Sequence, residues 1–387
     1  MKKNFAPTLF SVFNFLFAVS SNAQAPIKKV LLEEFTTASC GNCPMMSKYV
    51  NEWHLANEAN TILIAIHEGS GVDAMSNNAT ATIFNLMHPT GGWFAPAMMI
   101  NRGIYPSTAG EAYLSCYQSW GSGSGPGVDS IASRLITEPA VVGVNIIGTY
   151  NSATRNLDAT VHCVFVDTVG SGLWNISLFL VEDSVVGYPN LGPFAGWDQH
   201  CYDATWANTN YPGMFDGTSI IGYPHRHVMR DALFGSWGVS GVIPAVPVVG
   251  TDYSSHVNVI VDTAYHDNHL SLVAFVSANG STKAQKFVLN ANDVKLSSSF
   301  STGVTNLTMK NEDHFIYPNP AAQKLFVNGY SLTGNTSFTI LDINGRELIS
   351  KKNWTGQEIN ISSLENGFYF LSIKSSTGTE VMKFVKN

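Results

Sequence analysis

Leu31 to Met46 reads LLEEFTTASCGNCPMM, and the fold of the first third of the chain follows from it. An apolar run ends in two acids, passes through a short polar turn, and meets Cys40 and Cys43 two residues apart. Lys28 to Phe35 suits a buried parallel strand. Pro44 to Ala59 then reads as a helix, with Met45, Met46, Tyr49, Val50, Trp53 and Leu55 mainly at helical spacing. A helix start supplies unpaired N–H groups and the positive end of the helix dipole, which favour a thiolate. Cys40 is therefore the candidate nucleophile, and Cys43, one turn inward, the candidate resolving thiol. Pro44 fits the first helical turn, where no N–H is needed. Zinc is disfavoured at this pair, because no second CxxC or nearby His pair completes four ligands.

Further strands and helices alternate outward from this stretch. Thr61 to Ile66 (TILIAI) is a second buried strand, Ser70 to Met87 turns helical, and Ala97 to Asn101 is a third strand. Thr108 to Trp120 is a helix candidate, Gly121 to Gly127 a break, and Ile131 to Ile136 a last short helix. This is an α/β domain, ending near residue 138. Beyond it Val141 to Thr149, Asn156 to Asp167, Trp174 to Glu182, Val257 to Thr263 and Leu270 to Ala278 alternate apolar with polar residues. They predict an antiparallel β-sandwich over 139–302. An aromatic- and Gly-rich insert, 186–249, interrupts it, and loops of that length usually serve a function or carry structure of their own. After a linker at 303–312, short strands and the Asn344-Gly345 turn predict a small β-sandwich over 313–387.

Composition places this protein outside the cytoplasm. Charged residues make up 13% of 387, against roughly 25% in an average soluble protein. Met1 to Ala23 reads as a secretory signal, with Lys2 and Lys3 before the apolar run Phe10 to Val19 and small residues at Ser21 to Ala23. No later segment is apolar enough to span a membrane as a helix. The net charge of −7 and the lack of a basic stripe argue against nucleic-acid binding. No cofactor motif is present. Export permits disulfides. Cys163 on a sandwich strand and Cys201 in the insert form a candidate second pair, with two buried thiols as the alternative; Cys116 reads as a buried free thiol. His225 and His227, with His200 and Asp198, read as packing and hydrogen-bonding residues rather than a metal site. His67 reads as structural, and Trp93, Trp197, Trp206 and Trp237 as packing residues, with a glycan-binding face as the alternative.

The CxxC stretch resembles the thioredoxin superfamily across roughly Ile27 to Glu138. Glu34-Phe35 match that family's strand-end acid and aromatic, which implies that Glu34 assists proton transfer at the inner thiol. Pro96, in FAPAMMINR, matches a proline that in the family is cis and faces the cysteines, so that the backbone of the preceding residue, here Ala95, pairs with substrate. Ser39 stands where the family usually has Trp, and Gly-Asn separates the cysteines instead of Gly-Pro. FTTASCGNCP, AIHEG, FAPAMMINR and YPHRHVMR together resemble the outer-membrane-protein-28-related family, which joins a thioredoxin-like domain to a β-sandwich. YPNP (Tyr317 to Pro320), LDINGREL (Leu341 to Leu348), NGFYFLSI (Asn366 to Ile373) and the tail MKFVKN resemble the type A sorting domain of type IX secretion. That likeness implies passage through the periplasm, the type IX machinery as a partner, and delivery to the outer-membrane surface or extracellular space. Two functions fit. One is a thiol–disulfide oxidoreductase acting on a protein disulfide through Cys40, Cys43, Glu34 and Pro96. The other is a surface interaction or adhesion protein in which Cys40–Cys43 is a fixed disulfide.

Overall fold

The structure, a computed structural model, describes residues 26–69, 73–89, 92–105, 110–116, 127–187, 197–302, 315–328, 336–342, 346–355, 358–375 and 378–387. The expected signal segment, residues 121–126 of the Gly-rich break, residues 188–196 of the insert, the expected linker at 303–312 and the Asn344-Gly345 turn lie outside the described residues. The chain divides into two compact units, Met1–Val304 and Thr305–Asn387.

The first unit opens as its apolar runs dictate. Strand β1 (Val30–Thr36) is buried along its whole length, as is β2 (Thr61–His67), and the two pair in parallel. Between them helix α1 (Cys43–Ala56) buries Met46 and Val50 against one face of the sheet. Helix α2 (Asn78–Met87) buries Ile83, Phe84 and Met87 against the other. Asn77 caps α2 in a reciprocal capping box with Thr80, which fixes where the helix begins. Strand β3 (Ala97–Ile100) runs antiparallel beside β1. The helix expected over Thr108 to Trp120 is not what residues 110–116 form. There the chain makes a short strand, β4 (Leu114–Ser115), antiparallel to β3. Leu114 and Cys116 pack under helix α3 (Val128–Leu135), whose Ile131, Ala132 and Leu135 share their cluster. The local apolar spacing fits a helix, but tertiary pairing with β3 decides the outcome.

The sandwich strands follow: β5 (Val142–Asn151), β6 (Asn156–Phe165) and β7 (Trp174–Glu182). After the insert come β12 (Asp252–Ile260), β13 (Leu270–Ala278), β14 (Val288–Lys295) and the short β15 (Phe300–Ser301). One sheet has the order β12-β6-β5-β15. The other is not a separate sheet. Within the insert, β10 (Val228–Ala232) pairs antiparallel with β7 and meets β2 in parallel, where the Ala65 N–H donates to the His227 carbonyl at 2.7 Å. A single mixed sheet therefore runs β14-β13-β7-β10-β2-β1-β3-β4. The boundary expected near 138 is bridged, and both sequence-defined parts lie in one unit. This explains why β7 (WNISLFLVE) is buried at every position. Trp174, Ile176, Leu178 and Leu180 enter the sandwich core, while Phe179 and Val181 enter the core shared with β1, β2 and α2.

A buried ion pair reinforces this junction. Asn101 and Arg102 both have left-handed backbone (φ 47° and 49°), a conformation that Asn tolerates well. The turn sends the Arg102 guanidinium onto Glu33, with Nε donating to Oε2 at 2.7 Å and Nη2 to Oε1 at 2.5 Å. Phe275 (5.0 Å), Trp237 (5.3 Å) and Phe179 (5.9 Å) present ring faces to the same guanidinium.

The second unit has two antiparallel sheets. One is formed by β16 (Phe315–Tyr317), β17 (Lys324–Asn328) and β20 (Glu358–Asn360). The other is formed by β18 (Ser337–Leu341), β19 (Glu347–Lys351), β21 (Gly367–Ser375) and β22 (Gly378–Lys386). Leu325, Phe338, Ile340, Trp354, Leu371 and Phe384 share its core.

Candidate functional site

Alternation along β1 places its side chains on opposite faces of the sheet. Glu33 goes to the Arg102 side and Glu34 to the α1 side. Past the end of β1 the chain turns tightly. The Cys40 N–H donates to the Thr37 carbonyl, and the Cys43 N–H to the Cys40 carbonyl, each at 3.1 Å. Cys40 and Cys43 form a disulfide with Cα atoms 5.4 Å apart. Cys40 retains 8% exposure and Cys43 none. Asn42 at the helix N-cap makes no side-chain capping bond, and no acid occupies the first turn of α1. Those two facts keep the positive end of α1 uncancelled beside the sulfurs.

Glu34 is 3% exposed, and the Ser47 hydroxyl on α1 donates to its Oε1 at 2.6 Å. Burial raises its carboxyl to about 7, and the Ser47 bond offsets only part of that rise. Cys116 is free and wholly buried. Burial first, then the charge of Glu34, push its thiol well above the usual range, which makes it an unreactive neutral group. The Ala95–Pro96 peptide bond is cis, and the Pro96 carbonyl accepts from the Cys116 N–H at 3.3 Å.

Asp73, which sequence reading does not single out, holds the turn before Cys40. Its Oδ2 accepts from the Ala38 N–H at 2.8 Å and pairs with His67 Nδ1 at 2.7 Å, while Oδ1 accepts from the Met75 and Ser76 N–H groups. Burial opposes its charge, but the attraction and hydrogen bond of His67, with the backbone donors, outweigh burial and hold the carboxyl down at about 2. His225 lies edge-on to His67 at 5.1 Å and donates from Nε2 to the Trp197 carbonyl at 2.7 Å. Burial, with repulsion from His67, lowers His225 to about 3; burial and His54 lower His227 to about 4. Both are neutral structural imidazoles. Among the described residues no group of three or more His, Cys, Asp or Glu side chains is placed to hold a metal. A cavity of about 300 Å³ on the α1 side of the sheet is lined by Glu34, Ser47, Asn51, Gln199, His225 and His227, among others.

The insert carries its own structure and lies on the cysteine turn. Strand β8 (Gln199–His200) pairs with β9 (Ser219–Ile220), and helix α4 (Ala204–Asn210) is capped by Asp203. The His200 N–H donates to the Ala38 carbonyl at 2.7 Å, and the Tyr202 N–H to the Gly41 carbonyl at 2.9 Å. The Gln199 amide nitrogen lies 2.9 Å from the Cys40 carbonyl and 3.2 Å from those of Thr37 and Ala38. Trp206, Tyr211 and Tyr223 pack among themselves around Ile220.

The expected Cys163–Cys201 disulfide is corrected, since both cysteines are free and buried. Cys163 faces the sandwich core, whereas Cys201 faces the insert's own small core with Ala207, Ile220 and Tyr223. Sequence reasoning placed Cys201 in the right element but could not tell which way its side chain turns. It also missed Gln199 and Ser47, whose only visible signal is the spacing of Ser47 from Cys43, one helical turn on.

Residues 315–387 match the secretion system C-terminal sorting domain. The chain is thus addressed to the type IX secretion machinery and to the outer-membrane surface or extracellular space. No helix among the described residues is long and apolar enough to cross a membrane. No curated protein matches the chain. Among solved structures, HBP35 of Porphyromonas gingivalis is similar in fold, with a TM-score of 0.50 at 15% identity, covering 93% of this chain and 99% of that one. A protein from Agrobacterium tumefaciens overlaps at a TM-score of 0.38 and 10% identity, over 70% of this chain and 96% of that one. A domain of the outer membrane lipoprotein Omp28 from Porphyromonas gingivalis overlaps at 0.22 and 18% identity, over 41% of this chain and 88% of that domain.

Proposed function

We propose that this chain is an exported thioredoxin-like protein, of the outer-membrane-protein-28-related type, whose Cys40–Cys43 pair exchanges with protein disulfides beyond the cytoplasm. On this reading residues 26–138 are the thioredoxin-like part and 139–302 the sandwich, joined by one sheet. The order β1-α1-β2-α2-β3-β4-α3, with β1 parallel to β2 and antiparallel to β3, supports it. So does the position of the disulfide at the start of α1, with Pro96 directly before β3.

The observation that carries the reading is Glu34. A buried carboxyl titrating at about 7, on the face that α1 covers, with a hydroxyl as its hydrogen-bond donor, is poised to take and return protons near neutrality. In the reduced state the Cys40 thiolate attacks a substrate disulfide, forms a mixed disulfide, and releases the other substrate sulfur as a thiolate. Glu34 takes the proton of Cys43. The Cys43 thiolate then attacks Cys40 Sγ, restores the Cys40–Cys43 bond, and frees the second substrate thiol. Two electrons pass to the substrate. Ala95, beside Pro96, offers the backbone against which an extended substrate strand is held.

A second reading has its own support. The insert covers the disulfide through Gln199 and Tyr202, as suits a surface interaction protein in which the bond is permanent. Measuring the Cys40–Cys43 reduction potential alongside insulin reduction, with Cys40→Ser as control, separates the two. Turnover that vanishes in the Ser variant supports exchange. A potential below roughly −300 mV with no turnover belongs to a structural disulfide and sinks the exchange reading.

A further inference from the structure

The contact between the insert and the cysteine turn goes beyond a general covering. Residues 199–202 lie along residues 38–41 as an extended segment, bonded backbone to backbone at His200–Ala38 and Tyr202–Gly41. Gln199, itself buried, brings two amide hydrogens among four carbonyls, those of Thr37, Ala38, Cys40 and its neighbour His200. The Tyr202 ring stands on Gly41 so closely that a Cβ there would lie 2.7 Å from it, so a larger residue at this position would have to displace the ring. Yet Tyr202 is 70% exposed. An extended strand laid on backbone acceptors is the way peptides dock on sheets and loops. Here the docked strand belongs to the chain itself.

Building on the exchange reading, we propose that Gln199 and Tyr202 are specificity-determining residues of the disulfide site. They admit small dithiols to Cys40 and refuse protein dithiols until the 199–202 segment lifts away. The sliver of Cys40 still open suits a slender molecule. A sulfur carried on a folded protein brings a broad surface with it, and on this face that surface meets the exposed Tyr202 beside Gly41. Two backbone bonds and the Gln199 amide join the segment to the turn, contacts on the scale of a local opening and not of an unfolding.

The test follows single-turnover reduction of the full-length, disulfide-bonded protein, read by thiol counting, with dithiothreitol and with reduced thioredoxin as the two probes. In each case the probe's first thiolate bonds to Cys40 Sγ as Cys43 leaves. Its second thiol then displaces Cys40, so the probe ends as a disulfide and the two cysteines as thiols. Dithiothreitol should react readily and thioredoxin slowly. Gln199→Ala and Tyr202→Ala should each speed the thioredoxin reaction about tenfold while changing the dithiothreitol rate less than about twofold, the scale set at Gln199 by the loss of its amide hydrogen bonds and at Tyr202 by the loss of the ring over Gly41. Equal acceleration of both probes would mean general loosening, and an unchanged ratio would mean no selection; either result overturns the proposal. Tyr202→Ala removes an exposed ring, so it keeps the test decisive if Gln199→Ala fails to fold. Because each reaction is a single reduction, selectivity without insulin turnover would defeat the exchange reading alone.

Discussion

Glu33 and Glu34 are adjacent on one strand, both buried, and they meet opposite fates. Glu33 finds a guanidinium held in a two-pronged bond, with three aromatic rings around it. Glu34 finds a serine hydroxyl, and burial lifts it to about 7. One step along the strand separates an acid held in an ion pair from one that titrates near neutrality. The difference teaches that burial alone does not make an acid functional. What matters is whether the opposite charge is supplied or withheld.

The largest break in this comparison is expected on the Glu33 side. Arg102→Leu strands a buried carboxylate and should lower unfolding free energy by about 3–5 kcal/mol, read from urea denaturation. Adding Glu33→Gln to that variant should recover part of the loss, because no charge is then left unpaired. If Arg102→Leu proves neutral, the ion pair is not what stabilises the junction.

On the Glu34 side the sign reverses. A folded value of about 7 against an ordinary 4.5 means that the folded state keeps the proton over that interval while the unfolded state loses it. Stability therefore falls as pH rises from 4.5 to 7 and stays lowered above it. Glu34→Gln should raise stability by about 3 kcal/mol at pH 8 and leave it nearly unchanged at pH 4, while slowing disulfide exchange. A variant as unstable at pH 8 as the parent would show that Glu34 is already paired in solution.

The smallest effect sharpens the contrast. Ser47→Ala removes the one bond that favours the charged form of Glu34, worth about 1 kcal/mol. The pH midpoint of Glu34-dependent exchange should move upward, with the midpoint of Glu34→Gln-insensitive steps unmoved. A downward shift would contradict the role given to the hydroxyl.

Much of this was legible in the residues themselves. The apolar runs of β1 and β2, the helix after Cys43 and the tail motifs are local patterns, and local patterns survive folding. What escaped was long-range. Nothing near Val228 shows that β10 will pair with β2, more than 160 positions away. Nothing near Arg102 shows that a left-handed turn will carry it to Glu33. The disulfide pair itself was readable from CxxC, but its cover was not. Gln199 sits in a stretch with few regular signals, and its value lies wholly in the carbonyls it meets. Leu114 shows the converse error, in which a plausible helical spacing yields to a neighbouring strand.

The pairing of β10 with β2 also determines how the molecule can be taken apart. Cutting after residue 138 would strip β10 from Ala65 and turn β2 into an open edge, the kind of surface that recruits other chains. The same cut would bare Ile62, Ile64 and Ile66, which pack with Phe179 and Phe275 from beyond the cut. The cysteine-bearing part is thus no detachable cassette. A truncation that keeps this sheet whole should extend through Thr302.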